Sequence, residues 1–333
     1  MPLRPGVQLP GACLPHEVPR LVALAERHGV STLWATEVRR DPFLQIAAVL
    51  GAGGRMGVGT AVAVAFARSP TVTAAAAWDL NRWSGGHFRL GLGSQTAAML
   101  KQRFGVEADH PAPRMADYVA AVRDCFVALR RGFGGHRGPF YGIRRPALQP
   151  GREPAAPPDP AIMLAAVNQR MAETVGATAD ALCSHPFTTP AYLAEVLSPA
   201  LARGARASGR SVPAVVQQLV VVSSRPLAAR QMVPYAIPAY REVLAHSGRG
   251  ALIDGVLAET AAGRIAVAAK LLEAGCLDDL GVVVARDADQ LASALERWSP
   301  LCSEISLSVP WFGIGANEQM EAAIGLMKMV GRL

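Results

Sequence analysis

Reactive side chains recur in this sequence where an apolar run stops. His185 follows Ala181-Leu182-Cys183-Ser184, and Pro186 stiffens the chain behind it. An imidazole titrating near neutrality suits proton transfer to carbon or oxygen; a hydrogen-bonded structural histidine is the alternative. Glu37 follows Leu33-Trp34-Ala35-Thr36, where a carboxylate serves either an active site or the start of a helix. Gly91 and Gly93 allow close backbone approach to a ligand, with the Ser94 hydroxyl and Gln95 amide as polar anchors. The competing reading there is a helix cap. Ala166-Val167-Asn168-Gln169-Arg170 runs from a strand into a helix, whose free N–H groups, with Arg170, suit a phosphate. His110 lies in the Arg103–Arg114 segment and is a weaker candidate. Trp311, in Pro310-Trp311-Phe312, is either an aromatic wall for substrate or a core residue.

The elements that position these residues alternate. Candidate strands are Val7–Ala12, Thr32–Thr36, Met56–Val64, Phe88–Leu92, Ala161–Ala166, Ala181–Ser184, Ala214–Val222 and Glu304–Val309. Helical stretches follow most of them. Met115, Val119, Val122, Phe126 and Leu129 share one helix face, as do Val72, Ala76, Leu80 and Trp83, and Leu291, Leu295 and Trp298. Asp41-Pro42, Ser69-Pro70 and Thr189-Pro190 pair a capping oxygen with a proline at the first helical position. Continuous apolar strands alternating with helices predict a closed (β/α)8 TIM barrel, an α/β fold with its chemistry at the C-terminal strand ends. An open doubly wound sheet is the competitor, but no strand–GxGxxG–helix unit occurs. A single domain over residues 1–333 is expected, with a loop excursion at 132–159 and a helical insertion at 225–275, before the last strand.

Composition narrows the classes. The chain is 51% hydrophobic and 18% charged, which excludes global disorder. Its net charge is +7. Residues 101–152 hold 10 basic and 4 acidic side chains, a net +6, which suits an anionic cofactor or acidic partner, or is simply a solvated surface. Nucleic acid is disfavoured, because few aromatics interleave with the arginines. No apolar run approaches the ~20 residues of a membrane span, and residues 1–10 lack the apolar core of a signal peptide. The five scattered cysteines form no metal or disulfide pattern. A cytoplasmic protein is expected.

An ordered set of motifs carries a family resemblance. Gly57-Val58-Gly59-Thr60-Ala61-Val62 leads to Ala65-Phe66-Ala67-Arg68-Ser69-Pro70. Trp78-Asp79-Leu80, Ser84-Gly85-Gly86-His87-Phe88, Leu90-Gly91-Leu92-Gly93-Ser94-Gln95 and Arg103-Phe104-Gly105 follow, then Pro113-Arg114 and Asp117-Tyr118-Val119. Gly138-Pro139-Phe140-Tyr141 resembles the F-x-G-x-x-Y turn of the same family. Together they resemble the bacterial-luciferase-like monooxygenase superfamily. Cys183-Ser184-His185-Pro186-Phe187-Thr188-Thr189 is similar to its branch of coenzyme F420-dependent oxidoreductases.

The resemblance implies reduced F420, a deazaflavin, in the barrel mouth, and hydride transfer with an activated C=C, C=N or C=O bond. Dehydroamino acid reduction in natural-product biosynthesis is one example. It places Glu37 beside the cofactor ring, as the catalytic partner of His185; Val38 stands where relatives often carry a histidine. It also implies a non-prolyl cis peptide at Thr60-Ala61-Val62, packed under the ring. Implied partners are a small-molecule or peptide substrate, a second copy of the chain in a homodimer, and a separate F420 or flavin reductase. The rival readings are an FMN-dependent two-component monooxygenase and a non-catalytic barrel that binds a flavin or a partner.

Overall fold

The computed structural model describes residues 5–145 and 157–333. Eight parallel strands close a barrel: β1 (Gly6–Gln8), β2 (Thr32–Ala35), β3 (Gly57–Thr60), β4 (Phe88–Gly93), β5 (Ala161–Ala166), β6 (Ala181–Ser184), β7 (Ala214–Val222) and β8 (Glu304–Ser308). Closure is explicit, since Val7 of β1 pairs with both Leu33 of β2 and Leu307 of β8. The helices are α1 (Val18–Arg27), α2 (Pro42–Gly51), α3 (Pro70–Trp83), α4 (Pro111–Arg131), α5 (Gln169–Thr178), α6 (Ser198–Ala207), α7 (Arg225–Met232), α8 (Arg241–Ala245), α9 (Gly250–Ala261), α10 (Ile265–Gly275), α11 (Ala288–Glu296) and α12 (Ala316–Val330). The strands corresponding to the eight apolar runs all form. A further short strand, Val282–Val284, pairs with the last three residues of β7 beyond the end of β6. Four helices, α7 to α10, fill residues 225–275.

Local chemistry fixes the helix starts. Asp41 accepts from the N–H groups of Phe43 and Leu44, Ser69 from Val72 and Thr189 from Tyr192. The α3 face differs from the sequence reading. Val72 and Trp83 are 60% and 57% exposed, while Ala74, Ala77, Trp78 and Asn81 are buried. Small alanines let α3 approach α4 closely, so that Trp78 stacks on Phe126 at 6.1 Å. That packing outweighs the alternative stripe.

The barrel interior is filled rather than open. Trp34, Ala61, Met163, Cys183 and Val216 form an inner cluster. The Arg89 guanidinium lies 4.3 Å over the Trp34 ring and donates to both oxygens of Glu304. Trp34 fits because Gly59 lies beside it. A Cβ there would stand 2.6 Å from the indole and 2.7 Å from the Arg89 carbonyl.

Of the 132–159 excursion, residues 146–156 lie outside the described residues. Its first part folds back along α4 as a strap. Two short antiparallel strands, His136–Arg137 and Gly142–Ile143, shape it. Asp117 Oδ2 accepts from the N–H groups of Phe140 and Tyr141 at 2.9 and 2.8 Å. His136 bridges Asp117 (3.0 Å) and Asp124 (2.8 Å). Burial opposes its positive charge, but the hydrogen bonds to Asp124 and Asp117 outweigh that and raise its pKa.

Two outcomes follow from this packing. Gly59→Ala overpacks the interior and lowers stability by about 1–3 kcal/mol; an unchanged denaturant midpoint would show that Trp34 yields freely. His136 has a raised folded pKa, so its stabilisation is complete below the ordinary value near 6.5 and fades as pH rises through the raised one. The stability gap between the parent and His136→Gln therefore narrows from pH 6 towards pH 9 in paired denaturation curves, and a gap independent of pH would refute this assignment.

Candidate functional site

The C-terminal ends of β1, β2 and β8, with Gln218 from the middle of β7, line a cavity of about 470 Å³. Gln8, Thr36, Gln218, Ser308 and Gln319 supply uncharged polar groups to its wall, and Tyr235, Trp311 and Phe312 supply aromatic ones. Arg39 is the charged side chain on that wall. Two of its wall residues, Thr36 and Gln218, reach the peptide bond Ala61-Val62, which is cis, as the family resemblance implied. Its carbonyl oxygen on Ala61 accepts from Thr36 Oγ1 and Gln218 Nε2, both at 3.0 Å.

Glu37 is not free for proton transfer. One carboxylate oxygen accepts from the Val64 N–H and Arg68, each at 2.7 Å, and the other accepts from Arg68 at 2.9 Å. Arg68 also reaches Asp41 at 2.7 Å. Burial opposes the charge on Arg68, and hydrogen bonds to Glu37 and Asp41 more than compensate, raising its pKa. Glu37 therefore joins the end of β2 to the segment after the cis bond, and it lines neither cavity.

His185 also departs from the expected role. Its ring packs 4.6 Å edge-on to Tyr235 and 4.7 Å from Tyr240, and Nδ1 accepts from the Phe187 N–H at 3.0 Å. Burial pushes its pKa down to about 3, so near neutrality the ring carries no imidazolium proton to give. Trp311, by contrast, does line the cavity. Its Nε1–H donates to Tyr235 Oη at 3.0 Å. Gln231 grips the neighbouring backbone, accepting from the N–H groups of Trp311 and Phe312 and donating to the Phe312 carbonyl.

The strand-end candidates divide. Thr60 exchanges hydrogen bonds with the Gly91 backbone. A Cβ at Gly91 would stand 1.8 Å from the Thr60 oxygen, so this glycine admits the neighbouring strand rather than a ligand. Ser94 is half-buried and Gln95 exposed, the latter with φ of 59°. Ala166 and Val167 end β5, buried and half-buried.

Asn168, Gln169 and Arg170 line a second cavity of about 750 Å³, together with His110. The N-termini of α4 and α5 meet there, Asn168 capping α5 through the Met171 N–H. Glu242 is the acidic residue on its wall, and His246 is paired with Glu195.

Among its described residues, the basic 101–152 segment is spread along the barrel rather than gathered at the mouth. Arg123 pairs with Asp180 just before β6, and Arg130 with Asp159 just before β5. Both sit at the barrel end opposite the site. Lys101 pairs with Glu107. Cations at the mouth include Arg39, Arg68, Arg170 and Arg103, which donates to the Glu37 carbonyl at 3.2 Å.

Sequence reading missed Gln8, Gln218, Gln231 and Tyr235. A signal existed for one: Gln217-Gln218 interrupts the otherwise apolar β7. Among the described residues, no group of His, Cys, Asp and Glu side chains forms a metal site, and no helix is long and apolar enough to cross a membrane.

Glu37→Ala leaves Arg68 half-buried beside only Asp41, and orphans the Val64 N–H. Loss of such a pair costs about 3–5 kcal/mol, read as an earlier unfolding midpoint; stability within about 1 kcal/mol of the parent would dismiss the assigned role.

Comparison with known proteins agrees with this architecture. An uncharacterized protein of Mycobacterium tuberculosis is 37% identical over 257 residues, covering 72% of this chain and 75% of that protein. The coenzyme F420 dependent tetrahydromethanopterin reductase from Methanopyrus kandleri superposes with a TM-score of 0.78 at 17% identity, covering 99% of this chain and 97% of the other. EDTA monooxygenase from Chelativorans sp. BNC1 superposes at 0.66 and 15% identity, covering 99% and 93%. The model of the luciferase-like monooxygenase family matches residues 4–300, and the chain belongs to that family.

Proposed function

We propose that the chain is an F420-dependent oxidoreductase acting on an activated C=C, C=N or C=O bond. The observation that carries this is a polar cavity whose Thr36 and Gln218 hold the carbonyl of the cis bond, together with a second cavity at the start of α5. The first offers neutral amides and hydroxyls, which complement the carbonyl and N–H edge of a flat heterocycle. The second offers the free N–H groups at the start of α5, and Arg170, to an anion. Its volume of about 750 Å³ exceeds what one phosphate fills, when a water takes ~30 Å³ of liquid volume. The phosphate and glutamate tail of F420 use that space better than the single phosphate of FMN.

Gln8, Thr36 and Gln218 would hold the ring edge, Ala61 and Val62 its face, and Asn168, Gln169 and Arg170 the phosphate. When bound and reduced, the deazaflavin supplies a hydride. The protein's own part is to orient, to exclude water and to manage the proton. Trp311 and Phe312 wall off the cavity, and Glu37 acts indirectly, by fixing the bulge through Arg68.

The reading as an FMN-dependent monooxygenase draws on the structural likeness to EDTA monooxygenase. Anaerobic titration separates the two. F420 is expected to bind at least about tenfold more tightly than FMN, and Arg170→Ala to weaken F420 binding about tenfold with a shallower salt dependence. Tight FMN binding with oxygen-dependent turnover would replace this proposal with its rival.

A further inference from the structure

The donor hydrogens of the hydroxyls and amides around the first cavity are mostly committed, which leaves their acceptor lone pairs to a ring edge. The single hydrogen of Thr36 Oγ1 goes to Gln8 Oε1 or to the Ala61 carbonyl, both within reach. Ser308 Oγ donates to the Leu219 carbonyl. Gln218 Nε2 donates to the Ala61 carbonyl and Cys183 Sγ. Tyr235 differs: its oxygen accepts the Trp311 Nε1–H at 3.0 Å, and its own O–H finds no acceptor among the described residues. A hydroxyl that accepts one hydrogen bond becomes a better donor of the next.

We propose that Tyr235 is the proton donor to a substrate in this cavity. The residue stands in the turn Val233–Tyr235 after α7. Three contacts hold it: the indole N–H of Trp311, the edge-on ring of His185, and the Gln231 grip on residues 311–312 of the same segment. Its phenol remains protonated across the working range, because burial raises its pKa to about 12. His185, the other candidate donor, carries no imidazolium proton near neutrality and packs edge-on against Tyr235.

The inference rests on the hydride-transfer reading, whose two-electron reductant is the reduced deazaflavin. As the electron-poor carbon of C=X gains hydride, the π pair moves to X. The Tyr235 O–H bond breaks, its proton forms the X–H bond, and the phenolate recovers a proton from water. X is oxygen, nitrogen or the second carbon of an activated alkene.

Tyr235→Phe keeps the ring and removes only the hydroxyl. Cyclohexenone is the probe, an enone small enough for the cavity. Bound to the cofactor-free parent, its carbonyl stretch should lie at lower wavenumber than when bound to Tyr235→Phe, because a phenol hydrogen bond weakens the C=O bond. In single turnover with reduced F420, Tyr235→Phe should react about 10²–10⁴-fold more slowly, with F420 affinity unchanged and the thermal midpoint lowered only by loss of the acceptor for Trp311 Nε1–H. Equal carbonyl bands, equal turnover rates, or no cyclohexenone binding to the parent would overturn the assignment. Failure of F420 to bind the parent would instead overturn the cofactor reading, and the infrared comparison would still decide the Tyr235 hydrogen bond.

Discussion

The Arg68 guanidinium ties the mouth of this barrel together. It reaches Glu37 at the end of β2, Asp41 at the cap of α2 and, through Val64, the bulge after β3. Its own carbonyl accepts from the Tyr118 hydroxyl on α4. A cation held by two carboxylates in a half-buried site tolerates little displacement, since each partner is left costly to bury if the other moves. Three elements thus share one electrostatic anchor, and the Arg68 backbone joins α4 to it. The strap extends the same chain of contacts outward, because Asp117 beside Tyr118 accepts the backbone of Phe140 and Tyr141.

Charge is distributed by depth. Arg89 and Glu304 close the N-terminal end of the barrel against Trp34. The mouth cavity holds neutral amides, hydroxyls and aromatics, with Arg39 at its wall. A neutral, enclosed wall of this kind orients by shape and hydrogen bonding. It leaves the developing charge of a reaction to be met by a few placed donors, which count for more where water is excluded.

Much of the fold was legible because its signals are local. Apolar runs located all eight strands, and Asp41-Pro42, Ser69-Pro70 and Thr189-Pro190 marked real caps. The family motif located the cis bond at Ala61-Val62. What failed depended on partners remote in sequence. Val72 and Trp83 are helically spaced, but the face that packs was decided by α4. Glu37 looked like a catalytic acid until Arg68 and the Val64 N–H were brought to it. The basic cluster was judged by its neighbourhood to β4, although a helix of 21 residues carries its far end about 30 Å away. Tyr235 could not be seen because nothing in residues 225–275 states which turn reaches the mouth.

That last point bears on how one barrel serves different substrates. The strand ends spend most of their polar groups on one another: Thr36 on Gln8 and Ala61, Thr60 on Gly91, Gln218 on Ala61. Such a closed network makes a rigid platform, and altering any member orphans a buried partner. The donor capacity left over belongs to the connections, in Tyr235, Arg39 and the helix start at Gln169. A connection can change without breaking the ladder of the barrel. Tyr235 and Gln231 belong to one connection, and Trp311 to the segment that follows β8. A change in the insertion alone can therefore re-aim the donor, while the Gln231 grip obliges the two segments to move as a unit.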